Sequence, residues 1–225
     1  MTIETVLTHQ PESATIDSSI QQTITQMTDE MIGKLPDPQK LTSAERRGII
    51  ARYSSVLEGN FIYWMTATLL ATKTEAARPI LLENLHEETR DSHPHMMRKF
   101  AIAARAFPND KDALAVHEDL TNMRLFLGRL SGVQSLLAMA FFEGFIQKFM
   151  PFLADLAAAE GSKEMEYTDV HGVCDIAHTA GLFQALAIET SVNPIEPGTD
   201  IFEGVNLLRT LLNRIIYYRP ELAAA

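Results

Sequence analysis

From Ile20 to Tyr218 apolar residues recur at three- and four-residue steps, and nowhere does the chain alternate apolar with polar residues as a half-buried strand does. A chain with that single period buries its stripes helix against helix, so the expected class is all-α. The first helix carries Ile20, Ile24, Met27 and Met31 on one face and stops near Leu35-Pro36. Thr42-Ser43-Ala44-Glu45 has the spacing of a capping box and opens a long second helix over 43–72. A third helix starts at Pro79, kinks at Pro94 and ends at Pro108. Asn109-Asp110 caps a fourth over 111–128, glycines at 128 and 132 turn a corner, and an apolar fifth runs over 132–158. A sixth over 169–190 and a seventh ending near Tyr218 complete one domain of seven helices. Residues 1–16 read as a polar, flexible tail and 17–225 as the single domain.

Hydrophobic residues make up 46% of the 225, enough to fill a sizeable core. The formal charge of -10 has the wrong sign for tracking a phosphate backbone or an anionic lipid surface, so neither nucleic acid nor membrane is an expected partner. A small-molecule substrate is expected, and self-association as a homodimer is left open. The lone cysteine, Cys174, cannot close an internal disulfide. No basic-then-apolar leader opens the chain and no apolar run reaches roughly 18 residues, which together point to the cytoplasm.

Ionisable groups concentrate in three places. The sixth helix reads His171-Gly-Val-Cys-Asp175-Ile-Ala-His178, and positions i, i+4 and i+7 lie within about 60° of one another on a helix. Two imidazoles and a carboxylate therefore share one face of an otherwise apolar segment. The third helix holds Glu83, His86, Glu87, Glu88, Asp91, His93 and His95. Within it Glu88 and His95 stand two turns apart, and Glu83 with His86 makes the Glu-x-x-His step used in ferritin-like di-iron bundles. Glu143 sits alone in LLAMAFFEGFIQKFMPFL, where a carboxylate is costly to bury unless it is neutralised or coordinated; pairing with Lys148 is the plainer reading. A set this mixed in oxygen and nitrogen suits iron or manganese better than a closed zinc site or calcium. Cys174 reads as a small buried hydrophobe, and Tyr53, Phe61, Tyr63 and Trp64 as core before pocket.

LLENLHEE followed by a histidine, an isolated glutamate on the fifth helix, and His-x-x-x-Asp-x-x-His 28 residues beyond Glu143 resemble the haem-oxygenase-like di-iron oxidases. The resemblance spans about 41–215. It implies a seven-helix bundle without haem, two Fe(II) ions and dioxygen as co-substrate. Carried over by position, Glu88, His95, Glu143, His171, Asp175 and His178 become the metal ligands. A ferritin-like arrangement would instead use Glu58, Glu83 and His86 with Glu143, Asp175 and His178. The family oxidises amino acids, amines and fatty acids. The stretch MIGKLPDPQK lacks a tyrosine and Leu153 stands where a lysine is needed, which speaks against the self-sacrificing p-aminobenzoate-forming class. Size and layout resemble the single-domain nitrile-forming class that acts on tryptophan-type amino acids. Alkene formation from a fatty acid, amine oxidation, and a non-catalytic binding role are the alternatives. Glu58 is a candidate to meet a substrate amine, and Arg98 or Arg52 to hold a carboxylate.

Overall fold

The computed structural model describes residues 18–219, and the expected tail lies outside them. Among the described residues there are eight α-helices and no strand: α1 (Ser18–Ile32), α2 (Ser43–Ala71), α3 (Arg78–Arg90), α4 (His93–Ala103), α5 (Asp110–Leu127), α6 (Gly132–Ala159), α7 (Glu166–Val192) and α8 (Glu203–Tyr217). The all-α class holds. The count differs from seven because the expected third helix is two. After α3 the chain breaks at Asp91-Ser92, where Ser92 takes a left-handed conformation with φ 57°. Proline then occupies the first turn of α4, where its missing amide costs nothing.

The caps follow the sequence. Thr42 accepts from the Glu45 amide and Glu45 reaches back to the Thr42 amide, so the capping box forms and α2 begins at Ser43. Asn109 and Asp112 form a second box at the head of α5. Helix α6 is the axis of the bundle: between Leu136 and Ala157 most side chains are buried, because α7, α2, α8 and α1 pack around it. Among the described residues, α6 is the one helix long and apolar enough to cross a bilayer, yet 78% of its apolar window is covered by the other helices, as in a core helix.

Two carboxylates clip the long helix α2 at its ends. At its start Glu160, just past α6, accepts from Ser43 Oγ at 2.6 Å and Arg46 Nε at 2.8 Å. At its end Glu189 of α7 accepts from the amides of Lys73 and Thr74 and from Thr74 Oγ1 at 2.6 Å. A Cβ on Gly132 would come within 2.8 Å of Glu189 Oε1 and 2.9 Å of the Ala71 carbonyl, so only glycine lets α6 start this close. The second clip ties α2, α6 and α7 together.

Burial acts to raise the Glu189 carboxyl, but hydrogen bonds from Thr74, Lys73 and Asn193 outweigh it and hold it below the ordinary 4.5. Burial likewise opposes Glu160, and Ser43, Arg46 and Arg47 overcome it. A lowered folded value means that both contributions are fully present above about pH 4.5 and are lost as pH falls through the folded values. Glu189→Ala should therefore cost about 3 kcal/mol, since it strands buried amides. Glu189→Gln should cost less at neutral pH and flatten the decline of the melting temperature below about pH 4.5, as thermal unfolding across a pH series would measure.

Candidate metal centre

The middle of the bundle, where an apolar core is expected, holds three carboxylates. Glu88 of α3, Glu143 of α6 and Asp175 of α7 are 4%, 1% and 1% exposed. His93, His171 and His178 are buried beside them. Two groups of three metal-capable side chains, each with ligand atoms within 4.8 Å of one another, lie among the described residues: Glu88, His93 and His171, and Cys174, Asp175 and His178. Glu143 lies between them, lining the same cavity as Glu88, His93, His171 and Asp175 and standing 3.5 Å from His178 Nδ1.

Local geometry explains which histidine faces inward. Counting seven residues from Glu88 as two turns assumes a continuous helix, but the left-handed Ser92 redirects the chain before Pro94. His93, the first residue of α4, is thereby turned back onto Glu88, with Nδ1 2.8 Å from Glu88 Oε1, and packs its ring 4.5 Å from that of His171. His95 is exposed instead, and its place in the expected set is taken by His93. Pro94 carried the signal: a proline in a first turn marks a helix start immediately before it.

The other expected residues sort as follows. Glu143, His171, Asp175 and His178 converge. Glu83 and His86 are exposed on α3, and Glu58 of α2 pairs with Arg98 of α4, so the ferritin-like set is not assembled. Lys148 reaches Asp29 rather than Glu143. Tyr53 and Trp64 are core, Tyr63 is exposed, and Phe61 alone of that cluster lines the cavity. Arg52 donates to the Ile215 carbonyl on α8, away from the cavity.

Three partners had no role assigned from the sequence. Asn84, one turn before Glu88 and on the same buried face, donates to Glu143 Oε1 at 2.8 Å. Glu87 accepts from His178 Nε2 at 2.8 Å, which points Nδ1 toward Glu143 and Asp175. The Tyr167 carbonyl accepts from His171 Nδ1 at 2.8 Å, leaving Nε2 as the free lone pair. Such outer partners select the tautomer and orientation that a metal-binding imidazole needs. Tyr167 also stacks on His171, with centroids 4.1 Å apart, and shares a hydroxyl hydrogen bond with Tyr53 at 3.0 Å.

Electrostatics follow from burial. Burial, helped by the neighbouring His93, pushes His171 down to about 3, so it is a neutral imidazole. Burial and the Glu143 charge push Asp175 up to about 7. Burial opposes a charge on His178, but Asp175, Glu143 and Glu87 outweigh it and raise the imidazole to about 11, leaving it cationic among carboxylates. Burial raises the Cys174 thiol, which donates to Asp175 Oδ1 at 3.3 Å and is a poor thiolate ligand. Asp175 Oδ2 and His178 Nδ1 are buried with no hydrogen-bond partner. A bound iron would displace the Nδ1 proton of His178 and give both atoms a partner, so this mixed nitrogen and carboxylate set fits the metal.

A model of a protein family described as iron-containing redox enzymes matches residues 50–211, a span that takes in every buried donor named above. No curated protein and no solved structure matches the chain. Because that model covers well over half of the sequence, the chain belongs to the haem-oxygenase-like family of iron-containing redox enzymes and is an oxidoreductase.

Proposed function

We propose that the protein is a non-haem di-iron oxidase that uses dioxygen to rearrange or cleave a small amino-acid substrate. The observation that carries this reading is the convergence of three buried carboxylates and three buried imidazoles with two of their atoms left without a hydrogen bond. Glu88, His93 and His171 would hold one iron, and Asp175 and His178 the second, with Glu143 available to both. When bound, ferrous iron supplies the electrons and open positions that reduce dioxygen.

The chain's own residues do the rest. Glu87 and the Tyr167 carbonyl orient His178 and His171, and Asn84 holds Glu143. Leu57, Phe61, Met97 and Ile146 wall the cavity with hydrocarbon and keep bulk water from it. Phe61 offers a planar surface to an aromatic side chain. The most specific form of the reading is conversion of a tryptophan, halogenated or not, to an indole nitrile that retains the substrate nitrogen. Loss of the carboxyl carbon as CO2 with formation of a nitrile removes four electrons, which one dioxygen takes up in forming two waters. The apolar wall also suits an acyl chain, so fatty-acid decarboxylation is the second reading.

Anaerobic titration with ferrous iron should reach about two equivalents. His93→Ala and Asp175→Asn should each lower that number, while His95→Ala should leave it unchanged. A wild-type chain that binds no iron, or a His93→Ala variant that keeps the full complement, overturns the assignment.

Exposure of the iron-loaded enzyme to air should consume an aromatic amino acid, with mass spectrometry detecting a product that keeps the nitrogen and lacks the carboxyl carbon. Medium-chain fatty acids run in parallel separate the two readings. Consumption of those alone sinks the amino-acid assignment.

A further inference from the structure

Arg52 of α2 is a buried cation that the metal centre does not use. It is 4% exposed, and its Nε donates to the Ile215 carbonyl near the end of α8 at 2.9 Å. The two terminal nitrogens, Nη1 and Nη2, donate to no atom among the described residues, and no carboxylate there forms an ion pair with them. Burial pushes the guanidinium down to about 10 and Asp112 opposes that from a distance, so the group keeps its charge at neutral pH. A buried charge whose outer donors have no acceptor is costly, and an anion removes that cost.

The guanidinium is not sealed in. It lines a groove of about 680 Å³ between the head of α2, the first turns of α5 and the end of α8, a volume in the range of small-molecule sites. The groove shares no lining residue with the metal cavity. Local structure leaves room around the fork: Gly48 stands one turn before Arg52, and a Cβ there would come within 2.8 Å of Nη1. The Tyr218 ring lies 5.4 Å from Arg52 Cζ. Two neighbouring cations on the same lining are already paired, Arg214 with Asp119 at 3.0 Å and Arg219 with Glu45 at 2.7 Å. Arg52 is the buried positive charge left over, with Lys111 an exposed second cation in the groove.

We infer that this groove binds a small organic carboxylate, whose two oxygens accept the hydrogen bonds that Arg52 Nη1 and Nη2 leave unmade. The inference goes beyond the oxidase reading and does not depend on it. The outer edge of a guanidinium presents a planar fork that matches one carboxylate. Charge selects the class. Glu45, Asp112 and Glu118 also line the groove, so a phosphate dianion would meet like charges that one buried guanidinium does not offset, whereas a single negative charge balances Arg52. Ala44, Leu114, Ala115 and the Tyr218 ring supply apolar surface for the rest of an organic anion.

Calorimetric titration of the full, iron-loaded chain with benzoate tests this, with benzamide and inorganic phosphate run alongside. Benzoate should bind, and the other two at least about tenfold more weakly, as expected when a charge-assisted pair is missing or mismatched. Arg52→Met should weaken benzoate about tenfold or more. Gly48→Ala, which crowds Nη1 without removing the charge, should weaken it too, and iron stoichiometry should stay unchanged in both variants. Where Arg52→Met does not fold, Gly48→Ala decides, since alanine is at home in a helix. Benzoate held at the metal centre would be untouched by either variant, and that result overturns the site. So do a wild type that binds no benzoate, benzamide bound as tightly as benzoate, and phosphate bound in preference to it. The groove is read equally well in a chain that takes up no iron, so this inference and the oxidase reading fail separately.

Discussion

Three carboxylates are buried in the apolar centre of this bundle, and the arrangement around them answers to that cost. An isolated charge taken from water into a protein interior is strongly disfavoured, and like charges close together compound the penalty. Glu143 is met by the Asn84 amide and by His178, Glu88 by His93, and Asp175 by His178 and Cys174. His178 carries its proton because three carboxylates surround it, while His171, with no carboxylate hydrogen bond, stays neutral. The cluster still leaves Asp175 Oδ2 and His178 Nδ1 without hydrogen bonds, the latter 3.5 and 3.6 Å from Glu143 and Asp175. Divalent iron supplies positive charge and empty coordination positions at one stroke, which is why an iron-containing family fits a core that hydrogen bonds alone leave incomplete.

The scaffold keeps those donors in place with ordinary helix chemistry. The four donor-bearing helices are α3, α4, α6 and α7, and α7 packs on all of the other three. Capping boxes start α2 and α5, and buried carboxylates clip α2 at both ends, one of them from α7 itself. The short turn between α3 and α4 is the exception. Its left-handed Ser92 is a conformation that non-glycine residues adopt at a cost of order 1 kcal/mol. That local cost turns His93 inward, so backbone strain sits where the site needs it.

An apolar wall beside the donors gives the oxidase reading its second requirement. Phe61 stacks against Phe142, and Trp64 meets Phe142 edge to face, so the α2 side of the cavity is backed by packed aromatic rings and is not a free loop. Tyr53, also of α2, shares a hydroxyl hydrogen bond with Tyr167 of α7, which lines the cavity.

Much of this was legible in the sequence, where the physics is local. Helical period, the Thr42–Glu45 box, the corner at Gly132 and the common face of His171, Asp175 and His178 all depend on residues within a few turns of one another. The isolation of Glu143 among apolar residues likewise marked it, because a charge in such a run must be met from elsewhere. What met it was decided only by the fold. Asn84 and Glu87 look like any polar residues on α3 until packing against α6 and α7 buries one and brings the other to His178. The choice of His93 over His95 turned on one backbone conformation at Ser92, and a side-chain count along an assumed helix carries no information about such a break. Sequence therefore determined the helices and the residue types that could carry iron chemistry. Tertiary structure decided which of them share a cavity, because that depends on contacts between helices far apart in the chain.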